Sequence, residues 1–550
     1  MASASSVVSR ASAPWSPELN PDTFDRGRLL ARLREPQEWD LAVIGGGATG
    51  LGVALDAAAR GLSVVLLEGE DFAKGTSSRA TKLVHGGVRY LAQGDISLVH
   101  EALHERTTLL ANAPQVAQRL AFVVPGYRLL DLPLYGAGLK AYDVLAGRHS
   151  LGPTEVLSAR RTQEVLPTVR RQGLVGGIKY WDGQFDDARL ALLLARTAIE
   201  RGAVVLNHCA VTGLLRDGGK LRGLQARDAE SGESFELRAR CVVNAAGVWV
   251  DAVRDMDRDA GAPPKPAMVA PSQGVHLVVD RAFLPGTHAL MVPKTSDGRV
   301  LFAVPWLGKT LLGTTDTPRH DLDREPTPFR EEVDFILREA GRYLAKAPIR
   351  ADVRSVWVGL RPLVKPPDDE GDNTKALSRE HTVIVARSGL VTVTGGKWTT
   401  YRAMAEDVLD RCMASGALPR RPGGVTLRLP LIGAAPGRSI GEPPGEHLYG
   451  SEAALLRSLP GAERWLWRDA ESGQGGLSEA MVRFALRHEM ARGLEDVLAR
   501  RSRLLFLDAA RAAELIEPVA ALIEDELGRP VGSAERQAFA DLTQRYLRLP

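Results

Sequence analysis

The sequence predicts an α/β protein: a Rossmann-like dinucleotide-binding domain, an antiparallel-sheet substrate domain beside it, and a helical C-terminal cap. Three observations carry this. Over residues 40–68 an apolar run, a Gly-x-Gly-x-x-Gly turn, an Ala-rich helical segment and a second apolar run ending in an acid follow in order. From about residue 263 prolines cluster, and short strand-like runs alternate with turns. Beyond about residue 449, apolar residues such as Val482, Leu486, Met490, Leu494 and Val497 recur at helical spacing.

Composition sets the bounds. A chain of 550 residues holds two or three domains. With 44% hydrophobic and 25% charged residues it is of ordinary globular composition. A net charge of +3 gives no global nucleic-acid footprint. Cys209, Cys241 and Cys412 are too scattered for a metal or redox motif and point to a reducing compartment. No apolar stretch is long enough to span a bilayer, and no metal ligand set is expected.

The elements follow in chain order. Residues 1–35 read as a flexible tail without a signal-peptide core. Leu41 to Ile44 form a strand, and Gly45-Gly46-Gly47-Ala48-Thr49-Gly50 is the turn. Gly45 permits the tight bend, Gly47 lets the backbone approach a pyrophosphate, and Gly50 lets helix and strand pack closely. The helix from Leu51 to Arg60 offers its N-terminal N–H groups and dipole to phosphates. The strand from Ser63 to Leu67 ends at Glu68, 18 residues past Gly50 and placed to bind a ribose diol, which favours FAD or NAD over NADP. Residues 74–91, dense in hydroxyls, glycines and basic groups, suit a segment wrapped along a long cofactor. A helix is expected over 95–120; His100 and His104 on it form a pair at i and i+4 without a third ligand.

Tyr135, Leu139 and Tyr142 share one face of a helical stretch within 129–148. It reads as cap packing, or as a membrane-surface contact flanked by Lys140 and Arg148. Asp186-Asp187 opens an apolar helix to about Arg201, followed by a strand from Ala203 to Leu206 and by Ala210-Val211. Residues 213–239 turn at Asp217-Gly218-Gly219 as a small meander, and Cys241 to Gly247 bring a further strand back. Strands at 275–280, 299–304 and 309–313 form the substrate wall, interrupted by a helix over 328–346. Residues 365–375 are a polar loop, and 383–386 and 390–393 return to that sheet. Gly395-Gly396 opens a helix near Thr399, and the Gly- and Pro-rich stretch 414–448 is a linker.

Many segments together carry a resemblance. They include GTSSRATKLVHGGVRYL at 75–91, DDARL at 186–190, NAAGVWVD at 244–251 and PSQGVHLV at 271–278. SDGRVLFAVPW at 296–306, GTTDTP at 313–318, GLRPL at 359–363, GGKWTTYR at 395–402 and RHEMARGLEDVLARRSRLLFLD at 487–508 follow. In this order, over roughly residues 38 to 510, the sequence resembles the FAD-dependent glycerol-3-phosphate dehydrogenases of the D-amino-acid-oxidase-like flavoproteins.

The resemblance implies an FAD-binding domain over 36–125, 175–262 and 385–413, and a substrate or cap domain over 126–174 and 263–384. The linker and a helical domain over 449–550 complete the chain. It places FAD against Gly45, Gly47, Ala48, Thr49, Gly50 and Glu68, and against Thr76, Ser77, Ser78, Thr81, Lys82, Leu83, His85, Gly86 and Gly87. Further contacts fall on Ala210, Val211, Ala245, Ala246, Gly247 and Trp249, and on Gly396, Lys397, Trp398 and Thr399. No cysteinyl-flavin bond is expected, and no calcium loop occurs. The implied substrate is sn-glycerol 3-phosphate, whose dianion needs fixed cations. Arg89 and Lys397 are assigned to the phosphate, Arg361 to the C2 oxygen, and Tyr90 and Thr399 to supporting hydrogen bonds. His276 is the candidate base, with a structural histidine as the alternative. Electrons are expected to pass to a membrane quinone, with oxygen as the alternative acceptor. The expected location is the cytoplasmic face of the inner membrane, peripherally attached; a homodimer is left open.

Overall fold

The computed structural model describes residues 21–87, 96–259, 261–365, 380–470 and 473–550. The first apolar run forms the strand Glu38–Ile44, buried from Leu41 onward. A strand buried on both faces sits inside a sheet rather than at its edge. Its parallel neighbours are Val64–Leu67 and Ser234–Asn244, with Leu41 opposite Val64 and Val43 opposite Val243. Val204–Leu206 extends the sheet on one side, and Leu390–Gly395 with His381–Val385 on the other. The helix Ala48–Ala59 makes the crossover between the first two strands. Cys209–Asp217, Lys220–Asp228 and Ser234–Asn244 form the expected antiparallel meander. Gly218 and Gly219 both take positive φ at its first turn, as a two-residue hairpin needs.

The second sheet is built on the long antiparallel pair Val269–Asp280 and Val353–Val364. Lys309–Gly313, Leu301–Trp306 and Ala289–Val292 continue it, then Ala117–Gly126 and Gly176–Phe185. The last two strands fall inside the segments 36–125 and 175–262 expected in the nucleotide domain, yet they pair in the substrate sheet. The hairpin His381–Val385 and Leu390–Gly395 goes the other way. Its strand-like runs read as returning to the substrate wall, although the implied nucleotide domain over 385–413 includes Leu390–Gly395; both strands join the nucleotide sheet, with Val391 opposite Val243.

Four further corrections concern single elements. The expected tail contains the helix Arg26–Arg34, capped by Asp25 and held by buried Leu29, Leu30 and Leu33. The helix expected over 95–120 is Ile96–Asn112; Pro114, which has no N–H, ends it before the strand at Ala117. The apolar stripe at 482–497 is not one helix. Glu479–His488 stops, Met490 takes φ 54°, and a short π-helical turn follows at Asp496–Arg501. All five stripe residues are buried nevertheless. The helix at 328–346 is shorter, Arg330–Gly341. The polar loop at 365–375 lies, but for Lys365, outside the described residues.

The C-terminal helices share a core with the second sheet. Trp306 and Trp357 of the sheet pack with Phe506 and the buried residues of Leu504–Leu507. Ser355 Oγ donates to the carbonyl of Leu505 at 2.9 Å. Among the described residues no helix is long and apolar enough to cross a membrane.

Candidate active site

The glycine turn is held by contact. A Cβ on Gly50 would lie 2.0 Å from the carbonyl oxygen of Gly45, and one on Gly45, whose φ is 109°, would meet the Ala245 carbonyl at 2.7 Å. The backbone of Ala245 bonds back to the first strand, its N–H donating to Ile44 at 2.9 Å, so Ala245, Ala246 and Gly247 flank the turn. Glu68 lies beneath it and accepts from the N–H of Gly46 at 2.7 Å and of Glu70 at 2.8 Å. Burial holds its carboxyl above the usual carboxylate range, against the pull of those two N–H groups. Ala210 stands over Gly69, and Val211 follows it in the strand Cys209–Asp217. The helix Ala48–Ala59 begins at Ala48 and Thr49, with Gly47 at its cap. A turn this close-packed, a helix N-terminus and a half-buried acid at the end of the second strand fit a dinucleotide.

The segment 76–87 is tied to every neighbouring element. Ser77 Oγ accepts from the N–H of Ala48 at 2.9 Å, and the Ser77 carbonyl accepts from the indole of Trp398, also at 2.9 Å. Thr76 donates to the carbonyl of Leu360 at 2.5 Å. The Ser78 carbonyl accepts from both Lys82 Nζ at 2.7 Å and Arg503 at 2.8 Å. Leu83 pairs with Gln184, and Gly86 N–H donates to the Tyr142 hydroxyl at 2.9 Å. His85 is half-buried, and Gly87 takes φ 78°. Lys82, expected on the cofactor, is fully buried behind the turn. Its ammonium lies 2.7 Å from Asp187 and faces Trp306 and Trp357, so it supports the segment from the rear.

The substrate wall brings two predicted residues together. Arg361 is opposite Ser272, and His276 is four residues further along the same strand, opposite Trp357. Cross-strand partners share a face and so do residues four apart, so both project from one side. The Arg361 guanidinium donates to the carbonyls of Thr315 at 2.9 Å and Gln273 at 3.2 Å and is 3.4 Å from Asp316. Room for it exists because residue 274 is glycine; a Cβ there would be 2.4 Å from Nη2. His276 stacks on Trp357 at 4.2 Å, and its Nε2 hydrogen-bonds Thr81 Oγ1 at 2.9 Å. A Cβ on Gly313 would strike its ring at 2.4 Å. Burial, then the charges of Lys82 and Arg361, push the His276 imidazole well below its usual range, so it is uncharged.

The remaining predicted residues are spread around this centre. Trp249 packs over Gly75 with Arg324 above its ring at 4.1 Å. Trp398 and Thr399 are buried in a one-turn 3-10 helix whose cap is Lys397. Lys397 is half-buried and lies near Glu101. Gly396 takes φ 76°, against Met404. Arg89 and Tyr90 lie outside the described residues. Sequence reading missed Arg503, which enters this centre at φ 64° from the C-terminal domain, and Asp187 as its partner at 3.2 Å. It also missed Asp71, His208 and Asp496, a close cluster whose carboxylates are paired with Arg500 and Arg501. Segment motifs could flag Asp187, Asp496 and Arg503 but not join them, and Asp71 and His208 lie in no such segment.

Comparison with known proteins matches two families. Residues 40–402 match the FAD dependent oxidoreductase family, and 446–531 match the C-terminal domain of alpha-glycerophosphate oxidase. The human mitochondrial glycerol-3-phosphate dehydrogenase is 39% identical over 545 residues, covering 93% of this chain and 74% of the human protein. Glycerol-3-phosphate dehydrogenase SDP6 of Arabidopsis thaliana is 40% identical, with 88% of this chain and 82% of the plant protein covered. The structure of the glycerol-3-phosphate dehydrogenase from Bacillus halodurans complexed with FAD superposes with a TM-score of 0.74 at 30% identity, over 96% of this chain and 98% of that one.

Proposed function

This chain belongs to the FAD dependent oxidoreductase family as a glycerol-3-phosphate dehydrogenase, and on that footing we propose that it oxidises sn-glycerol 3-phosphate to dihydroxyacetone phosphate and passes the electrons to a membrane quinone. The observation that carries the chemistry is a cation and an uncharged base on one face of the substrate sheet, Arg361 and His276. FAD, when bound, supplies the hydride acceptor. Gly45, Gly50, Glu68, Ser77 and Ala245 would hold it.

Oxidation at C2 removes a hydride from carbon and a proton from the hydroxyl. His276 takes the proton, with Thr81 fixing the ring. Arg361 stabilises the negative charge that grows on the C2 oxygen as the hydride leaves. Its carbonyl partners Gln273 and Thr315 hold the guanidinium in one orientation. Lys397, with Arg89, binds the phosphate, whose charge is the same in ground and transition states. A lipid-soluble acceptor places the enzyme at a membrane, peripherally attached.

The test is anaerobic. Glycerol 3-phosphate should bleach the flavin and support reduction of a quinone analogue, while glycerol should do neither at the same concentration. Bleaching with reoxidation only by oxygen, yielding peroxide, would make the protein an oxidase and overturn the quinone assignment.

A further inference from the structure

His276 is assigned as the base, yet neither of its ring nitrogens is open. The residue is 2% exposed. Its two cross-strand neighbours close the ring in. Trp357 stacks on it at 4.2 Å, and Gly313 lies so near that a Cβ there would be 2.4 Å from Cδ2. Nδ1 is sealed from solvent beside the backbone of Gly274. Nε2 is taken by the Thr81 hydroxyl at 2.9 Å. Thr81 is half-buried, so of this pair it is the member that faces the open side of the centre. The wrapping segment puts it there. Thr76 donates to the carbonyl of Leu360, and Gly359 leaves room for the backbone of Arg79, so the segment runs beside the strand that carries Arg361. Lys82 then takes φ 64° and carries its ammonium to the rear, to Asp187. Arg361, near enough for its charge to bear on His276, holds Thr314 Oγ1 at 3.3 Å. The Thr81 hydroxyl and the Arg361 guanidinium thus approach one centre from two elements.

We propose that Thr81 is a proton relay, and that the C2 hydroxyl proton reaches His276 only through its side-chain oxygen. The proposal rests on the glycerol 3-phosphate reading and adds a residue to its proton path. A hydroxyl has one proton to donate and two lone pairs, so Thr81 can donate to Nε2 and accept from a second hydroxyl at once. That arrangement needs the tautomer with its hydrogen on Nδ1, the nitrogen beside the Gly274 backbone. As the hydride leaves C2, the O–H bond of the C2 hydroxyl breaks and its proton bonds to Thr81 Oγ1. The proton that Thr81 carried bonds to Nε2, and the C2–O bond becomes the carbonyl of the product. Thr81 ends as it began, with one proton, and the imidazole has gained one. Once product has left, the reverse shift through the same hydroxyl returns that proton to water. Arg361 stands at the oxygen that loses the proton, so charge stabilisation and proton removal act on one atom from two sides.

The test uses the full-length holoenzyme and anaerobic stopped-flow bleaching at saturating glycerol 3-phosphate. Thr81→Val keeps the shape and removes the hydroxyl; it should slow bleaching about 10²-fold or more. Its ratio of flavin to protein absorbance, and its binding of dihydroxyacetone phosphate read from the flavin spectrum, should stay native. Thr81→Ser keeps the hydroxyl and should bleach close to the native rate. His276→Gln should be slow as well. Because the two residues act in series, Thr81→Val/His276→Gln should be no slower than the slower single variant. Bleaching of Thr81→Val at the native rate overturns the relay. So does Thr81→Ser as slow as Thr81→Val, since the methyl group would then matter and not the hydroxyl. Losses that multiply in the double variant overturn it too, since the residues would then act independently. A native enzyme that glycerol 3-phosphate does not bleach overturns the substrate reading and the relay with it, whereas a bleached native enzyme beside an indifferent Thr81→Val overturns the relay alone.

Discussion

At the scale of single residues, the site depends on side chains that are absent. Gly274 and Gly313 leave the space that the Arg361 guanidinium and the His276 ring occupy. Neither glycine has a positive φ, so alanine is tolerated by the backbone at both. Gly274→Ala should therefore leave thermal stability within a few degrees of native and slow anaerobic flavin reduction about tenfold or more, by displacing the guanidinium. A native rate in that variant would place Arg361 outside the reaction. His276 gives a second expectation. Its folded pKa lies well below the unfolded 6.5, so the ring is unprotonated throughout the neutral range and its state does not change there. Flavin reduction at saturating substrate should be flat from about pH 6 to 8. An acidic limb centred near 6.5 would point to a solvated base elsewhere. Arg361 and His276 could be found in the sequence because each lies in a distinctive segment. Their shared face could not, because it depends on a register between strands about ninety residues apart.

At the scale of elements, the wrapping segment 76–87 is positioned from behind. Asp187, at the start of the helix Asp187–Glu200, is fully buried between Lys82 and Arg503. Removing its charge leaves the buried Arg503 without its carboxylate partner, beside Lys82, whose ammonium burial already brings down to about 7. Asp187→Asn should cost about 3–5 kcal/mol of stability, and flavin occupancy should fall with it because the turn carrying Ser77 loosens. Chemical denaturation and the ratio of flavin to protein absorbance measure both. Full occupancy at native stability would show that the pair is ornamental to the fold. The nucleotide-binding strand, turn and helix were legible because each is specified locally, by apolar runs, glycines and spacing. The local pattern of the hairpin His381–Val385 and Leu390–Gly395 pointed to the substrate wall, against the domain assignment of 385–413, for the opposite reason. Its apolar residues suit either sheet, and pairing with Ser234–Asn244 is decided by packing that a local pattern does not contain.

At the scale of the whole molecule, the C-terminal domain is part of the site's foundation. It reaches the centre through Arg503 and Phe506 and is joined to the rest by a linker whose Leu431, Ile432 and Ile440 are buried. Two histidines make this arrangement acid-sensitive. Burial, aided by Arg438 and Arg189 for His447 and by Arg196 for His488, lowers each to about 4. Unfolded, each takes up a proton near 6.5, so the unfolded chain binds more protons between these values. Stability should fall as pH drops from 6.5 towards 4, by up to about 3 kcal/mol per histidine. The variant His447→Asn/His488→Asn should show a shallower fall in melting temperature over that range; an unchanged slope would assign the acid sensitivity to other groups. The domain's helices were legible from periodicity, whereas its insertion beneath the wrapping segment was not, since that contact joins residues about 425 apart. If Arg361 stands at the alkoxide that develops on C2 of glycerol 3-phosphate, the whole assembly serves that one oxidation. The direct test is anaerobic stopped-flow bleaching at saturating glycerol 3-phosphate for the native enzyme and for Arg361→Lys. The native enzyme should bleach, and the variant, keeping the charge but losing the planar fork, should bleach about 10²-fold more slowly. Bleaching of the variant at the native rate with only its half-saturation raised would make Arg361 a phosphate ligand and contradict the claim.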